Sequence, residues 1–240
     1  MPAPYPLLDM PPGSIKNIHE YPARRHMAAV HNMFIQSINA IVAHAPTLPT
    51  NKLQPFMVFC FTVIDNIHHH HHIEETFLFP ELEKKLGAGT LSRNFEEHAD
   101  FVPQLDEVKV YLQKVQTGEL AYDGPLLVEK IHSFSDSMML HLSHEIPTLD
   151  ASRLKAVFTE KELKDIDSQG LSIALKTVSF YTSIPWGMVC ANPATPWFPP
   201  LPLPVKLATR WWFSRRYREA WEFGPLDLYG KPRQAEVEKS

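Results

Sequence analysis

The stretch NIHHHHHIEETFLFP, Asn66 to Pro80, sets five consecutive histidines and two glutamates inside an apolar, helix-like segment. Phe56, Phe59, Val63, Ile64 and Ile67 precede the run and Phe77, Leu78 and Phe79 close it, so it reads neither as a terminal tag nor as a solvated low-complexity tract. What the histidines do depends on which of them face inward. Residues at steps of three and four share one helical face. The second helix, read from about Lys52 to Phe79 with Pro80 as its stop, carries the stripe Leu53, Phe56, Cys60, Val63, Ile67, His70, Glu74 and Phe77. That alternation is the pattern of a seam buried against partner helices. Its register turns His70 and Glu74 inward and leaves His71 and Glu75 at the edge of the stripe. His68, His69 and His72 point elsewhere, with His68 and His69 expected in solvent.

The neighbouring segments repeat the pattern. A first helix is predicted from Pro22, a good first-turn residue, to about His44, with Met27, Val30, His31, Phe34, Ile38 and Ile41 on one face. A third begins among Thr90 to Asn94, where several residues can cap it, and ends near Gly118. Its stripe is Leu91, Phe95, His98, Val102, Leu105, Val108, Leu112 and Val115, and Pro103 should kink it just past the histidine. A fourth follows Asp123-Gly-Pro, with Leu127, Ile131, Phe134, Met138, His141, Glu145 and Leu149, and Pro147 at its end. A further helix starts at Thr159, with Glu162 completing a capping box. No strand-like alternation or sequence repeat interrupts this series. The fold class expected is all-α: an antiparallel four-helix bundle with an N-terminal extension over residues 1–155. A helical, Pro/Trp-rich extension packed on the bundle takes residues 156–240.

Each bundle helix thus puts one histidine on its core stripe, and two add a carboxylate four residues later. Burying that many ionisable groups without partners costs roughly a few kcal/mol per group. A lone histidine on an apolar face is usually a hydrogen-bonded core residue. Four in register, two with i+4 carboxylates, ask for a cation that neutral imidazoles and carboxylates can share. Four imidazoles and two carboxylates exceed one tetrahedral zinc and suit a two-metal centre of iron, manganese or zinc. His71 and Glu75 are candidates for extra ligands or outer partners. His26, His132 and His144 lie off their stripes or at the edges and are not expected to be ligands.

With AVHNMFIQSINAI in the first helix, HHHIEETFLFP in the second, NFEEHADF in the third and HLSHEI in the fourth, the chain resembles the hemerythrin-like, HHE cation-binding family over about residues 20–150. The tail motifs WFPPLP and AWEFGPLDLYGKPR look like those of longer family members common in fungi. The resemblance implies a four-helix bundle, a non-haem centre of two iron ions and dioxygen as partner. His31, His70, Glu74, His98, His141 and Glu145 would be the ligands. Two positions depart from the oxygen-carrying relatives. Val102 stands where they have a second histidine, and the last carboxylate is Glu145, one turn after His141, where they place it one residue later, at the position of Ile146. On this reading the site is poorer in nitrogen and more open than a carrier's, which favours activating dioxygen over carrying it.

Composition narrows the classes further. Hydrophobic residues at 44% and charged residues at 21% are ordinary for a soluble domain, and a net charge of −4 gives no reason to expect nucleic acid. No secretory signal or transmembrane segment is expected. Cys60 and Cys190 match no metal spacing and fit a reducing, cytoplasmic setting, with a single bridge left open. All five tryptophans lie between Trp186 and Trp221, beside prolines and the basic run RWWFSRRYREAWEFGP. Three roles stay open for this tail: a wrap that buries its aromatics on the bundle, a lid over an organic substrate, or contact with a membrane surface. The functional expectation is an oxidoreductase that activates dioxygen for a small organic substrate. No acid, base or nucleophile outside the metal shell is identifiable. The alternatives are a protein that stores or senses dioxygen or iron, and a bundle held together by a structural metal.

Overall fold

The computed structural model describes residues 4–233, apart from the side chains of Arg25 and His26, so the expectation for His26 lies outside the described residues. The chain enters through a π-helical segment, Pro22–Ala29, that continues directly into α1, Val30–His44. Then come α2, Leu53–Ile73, a π-helical turn, Glu74–Leu78, and α3, Phe79–Leu86. Next are α4, Ser92–Thr117, and α5, Gly124–Thr148. A short α6, Ala151–Val157, leads out of the bundle, and the extension holds α7, Glu160–Thr177, α8, Ser183–Val189, α9, Leu203–Trp211, and a 3-10 segment, Phe213–Phe223. Among the described residues there is no strand, only the bridge between Leu226 and Pro232.

Four helices form the antiparallel bundle. α1 packs on α2, α2 on α4, α4 on α5 and α5 back on α1, closing a ring. The expected stripes are its interior. Phe34, Ile38 and Ile41 from α1 meet Phe56, Cys60, Val63 and Ile67 from α2, with Leu105, Val108 and Leu112 from α4 and Leu127, Ile131, Phe134 and Met138 from α5, all buried. Each fully buried side chain of this kind contributes about 1.5–3 kcal/mol. Asp123 caps α5 by accepting from the Leu126 N–H at 2.9 Å. Gly118, at φ +79°, ends α4 in the left-handed region. The capping box of Thr159 and Glu162 is present at the start of α7.

One boundary is corrected. The second helix does not stop at Pro80. It runs through the proline to Leu86 because the turn before it is wide: the Phe79 N–H donates to the Glu74 carbonyl, five residues back. In a regular α-helix the Pro80 ring would collide with the carbonyl four residues earlier. The π-helical turn relieves that clash.

Extensions strap this bundle on two sides. Asn32 and Asn39 of α1 each pair with the backbone of the N-terminal segment, Asn32 with Leu8 and Asn39 with Tyr5, through both N–H and C=O. The C-terminal extension lies along α2, touching it through α7, α8 and the 3-10 segment. Lys52, at the head of α2, is held between Glu219 at 2.8 Å and Glu222 at 3.0 Å. Trp186 and Trp221 are buried, but Trp211 and Trp212 are exposed, so a wrap that buries its aromatics, one of the three roles open for the tail, describes only part of it. Both cysteines are free and buried, and burial pushes the Cys190 thiol up to about 12.

Candidate metal centre

His31 sits on α1, His70 and His71 on the last turn of α2, Glu74 at the start of the π-helical turn, His98 on α4, and His141 and Glu145 on α5. The structure brings all six sequence-predicted site residues together in the upper bundle and adds His71. Donor atoms of His71, Glu74, His98 and His141 lie within 4.8 Å of one another, and so do those of His31, His70 and Glu74. Glu74 belongs to both groups. Glu145 Oε2 reaches across them as well, 3.3 Å from His31 Nε2 and 3.6 Å from His141 Nε2.

The orientation of the rings is chemically specific. His31 Nδ1 faces the Leu142 carbonyl at 3.0 Å and His71 Nδ1 the Ile67 carbonyl at 2.8 Å. His98 Nδ1 faces Glu75 Oε1 at 2.8 Å and His141 Nδ1 faces Glu97 Oε2 at 3.3 Å. Carbonyls and carboxylates only accept, so each of these Nδ1 atoms carries the hydrogen and each Nε2 keeps a lone pair. The Nε2 atoms point inward. Those of His98 and His141 approach to 3.0 Å, and those of His31 and His70 to 3.3 Å. About 3 Å is the spacing of neighbouring nitrogens held near 2.1 Å from one cation. Both oxygens of Glu74 and of Glu145, and the Nε2 of His71, are buried without a hydrogen bond. His70 Nε2 comes within 2.9 Å of Glu74 Oε1, without the alignment a hydrogen bond requires. Lone pairs facing lone pairs in a dry interior are repulsive, and a cation among them removes the repulsion. The donor set therefore fits metal ions, and its mixture of imidazole and carboxylate suits iron, manganese or zinc.

The electrostatics agree. Burial holds the His71 imidazole well below its ordinary value, with the neighbouring imidazoles of His70, His98 and His141 adding to the effect. Burial lowers His98 too, opposed by its bond to Glu75, and takes His141 down to about 2. Glu74 is pushed well above the usual carboxylate range, first by burial and then by the carboxylates of Glu145 and Glu75. The metal-free site therefore holds neutral imidazoles around a carboxyl that resists ionising.

An outer ring of groups fixes the inner one. Glu97 contacts His141, accepts from Arg93 Nε at 2.7 Å and lies 2.7 Å from His144 Nδ1. Glu75 aligns His98. Aromatic rings wall the site. Phe101 stands against His71 at 5.0 Å and His141 at 5.7 Å, and Phe34 lies 5.2 Å from His70. Trp186 from α8 stacks on Phe34 at 5.8 Å and donates its indole N–H to Ser37 Oγ at 2.9 Å. Thus the extension backs the wall of the site through one tryptophan. Phe101, wholly buried, stands beside the histidines, and Val102, the next residue, is partly buried against the bundle core.

Sequence reasoning placed three features differently. His71 is not at the edge but inside, so five imidazoles, rather than four, face the cluster. The signal was present: His71 precedes Glu74 by three residues and His70 precedes it by four, and both spacings share a helical face. His68 and His69 are not in solvent. Both are half-buried, His68 within 3.2 Å of Asp106 on α4 and His69 bonded to Thr177 Oγ1 at 2.9 Å on α7. Glu97 was missed, because an exposed-looking glutamate in a helix has no pattern that marks it as an outer partner.

A bundle of four helices whose facing side chains are histidine and glutamate defines a cation-binding helical protein. The hemerythrin HHE cation-binding domain matches residues 23–146, and the chain belongs to that family. It is also similar to "Dimeric xanthone biosynthesis cluster protein R11" of Cryptosporiopsis sp. (strain 8999), 28% identical over 246 residues, covering 96% of this chain and 90% of the relative. No solved structure matches it.

Proposed function

We propose that this protein holds two iron ions between His31, His70, His71, Glu74, His98, His141 and Glu145 and uses them to activate dioxygen for oxidation of a small organic molecule. The observation that carries the reading is the inward set of Nε2 lone pairs around two carboxylates with no hydrogen bond to either. Glu74 and Glu145 each approach donors of both groups, as bridging carboxylates would. Ferrous ions bound there would supply the electrons that reduce dioxygen. The chain's own residues do the rest. Leu142, Ile67, Glu75 and Glu97 hold the rings in the metal-accepting tautomer. Phe34, Phe101 and Trp186 keep water out. His70, at 16% side-chain exposure, is the most open of the seven groups and marks the side of approach. The similarity to a protein named for a biosynthesis cluster favours turnover of an organic molecule.

A second reading, reversible binding of dioxygen or storage of iron, draws on the depth of the site, since the other six groups are almost wholly buried. One experiment tests both. Protein reconstituted anaerobically with ferrous iron is assayed for metal content, exposed to dioxygen, then purged with argon. Two irons per chain and an optical spectrum that does not return on purging support the proposal. A spectrum that returns fully supports the second reading, and fewer than one metal per chain rejects both.

A further inference from the structure

One surface of this acidic chain is both basic and apolar. Between residues 203 and 218 the sequence carries five cations, Lys206, Arg210, Arg215, Arg216 and Arg218, and no carboxylate. None of the five pairs with a carboxylate among the described residues. Glu219 and Glu222, which follow them directly, are both turned to Lys52. Interleaved with the cations are large side chains open to solvent. Leu203, Leu207 and Trp211 stand at i, i+4 and i+8 of α9 and share one face, and all three are exposed. Trp212 continues the surface. The two tryptophans are 61% and 68% exposed. α9 is docked by its other side, where Thr209 is fully buried.

We infer that α9 and the start of the 3-10 segment dock on an anionic phospholipid surface. Arg210 donates to the Leu228 carbonyl at 3.0 Å and lies over the Tyr229 ring, and Arg216 lies over Tyr181 and Tyr217, but none of these neutral partners cancels a charge. Cations without a carboxylate would alone suit any polyanion, but a soluble polyanion would leave Leu203, Leu207 and Trp211 facing water. Leucine and tryptophan alone would suit a second copy of this chain, but a paired copy would bring two sets of unneutralised arginines together. The headgroup region of an anionic bilayer takes both sets, tryptophan and leucine at the acyl boundary and arginine at the phosphates. The surface lies on the extension, which also backs the wall of the metal site through Trp186. Docking would thus set the protein beside molecules that partition into lipid.

The test is flotation of the full-length protein with vesicles of phosphatidylcholine alone or mixed with a third of phosphatidylserine, and tryptophan emission read in parallel. Wild type should float with the anionic vesicles, shift its emission to the blue and stay unbound with neutral ones. Trp211→Ser with Trp212→Ser should weaken binding about tenfold. Arg215→Gln, Arg216→Gln and Arg218→Gln together should weaken it roughly hundredfold, at about fivefold per cation near such a surface. These positions are exposed, so each variant should melt like the wild type, and His70→Ala should bind vesicles unchanged, separating this surface from the metal site. Equal binding to both vesicle types, or binding unaltered by either set of substitutions, would overturn the inference. So would a dimer that ignores vesicles and that the tryptophan substitutions return to a monomer.

Discussion

His68 and His71 stand three residues apart in the same run, yet they should behave differently. Both bury an Nε2 without a hydrogen bond, but that of His71 joins a shared set of donors, while that of His68 faces only Asp106 at 3.2 Å. His70→Ala, His71→Ala and Glu74→Ala should each lower the iron content and remove most of the melting-temperature gain that metal gives. His68→Ala should leave metal content unchanged and cost under about 1 kcal/mol. Metal analysis and thermal melts check both, and a His71→Ala protein that loads iron like the wild type would expel His71 from the site. The outer carboxylates have their own test. Glu97→Gln and Glu75→Gln should each weaken metal binding about 10- to 100-fold with little effect on the fold, measured by competition with a chelator.

Acidity acts on the same residues. The imidazoles of His71, His98 and His141 titrate lower when folded than when unfolded. The unfolded chain therefore binds their protons first, and the stability of the metal-free protein is lost as pH falls below about 6.5. Glu74 shifts the other way, so its contribution is lost as pH rises from the ordinary carboxylate range through its raised value. Metal requires Glu74 ionised and the imidazoles neutral. The melting-temperature difference between loaded and metal-free protein should therefore widen from pH 5.5 to pH 8. A constant difference would show that these groups do not release protons on binding.

At the scale of the element, the four long helices and their caps were legible because apolar residues repeat at helical spacing and Asp123, Gly118 and Thr159 do what their chemistry prescribes. The end of the second helix was not. A proline ordinarily stops a helix, and nothing in the local pattern reveals that a π-helical turn has made room for it. The same turn begins at Glu74, where strict alternation ceases to describe which side chains face inward, so His71 was left at the margin. Connections between elements hold one severe constraint. A Cβ on Gly124, the first residue of α5, would stand 2.0 Å from the Ala45 carbonyl oxygen. Gly124→Ala should destabilise the protein by about 1–3 kcal/mol or more, since backbone must move. A denaturant midpoint equal to that of the wild type would show that the approach is looser.

For the whole molecule, the bundle does not stand alone. Its first helix is strapped by the N-terminal segment through Asn32 and Asn39, and its second is covered by the extension. Composition announced the extension through its tryptophans and prolines but not its division of labour, because burial depends on contacts far apart in sequence. Trp186 stacks on Phe34 and bonds to Ser37, whereas Trp211 has the same chemistry and no partner surface. Trp186→Ala should cost about 3–5 kcal/mol and speed the escape of metal to a chelator, because it removes the backing of Phe34, the phenyl ring that stands against His70. Unchanged escape would mean that Phe34 holds its position unaided.

The run of five histidines looks interchangeable and is not. Its members face α4, α7, the site twice, and solvent, so one monotonous tract serves four environments. Repetitive coding sequence tends to gain or lose units during replication. Here a single added or lost unit would rotate everything beyond it by about 100°, carrying Glu74 away from the histidines before it. The tract should therefore tolerate a change of letter at His72 and refuse a change of length. Inserting one histidine after His72 should abolish iron binding, while His72→Gln should leave it intact.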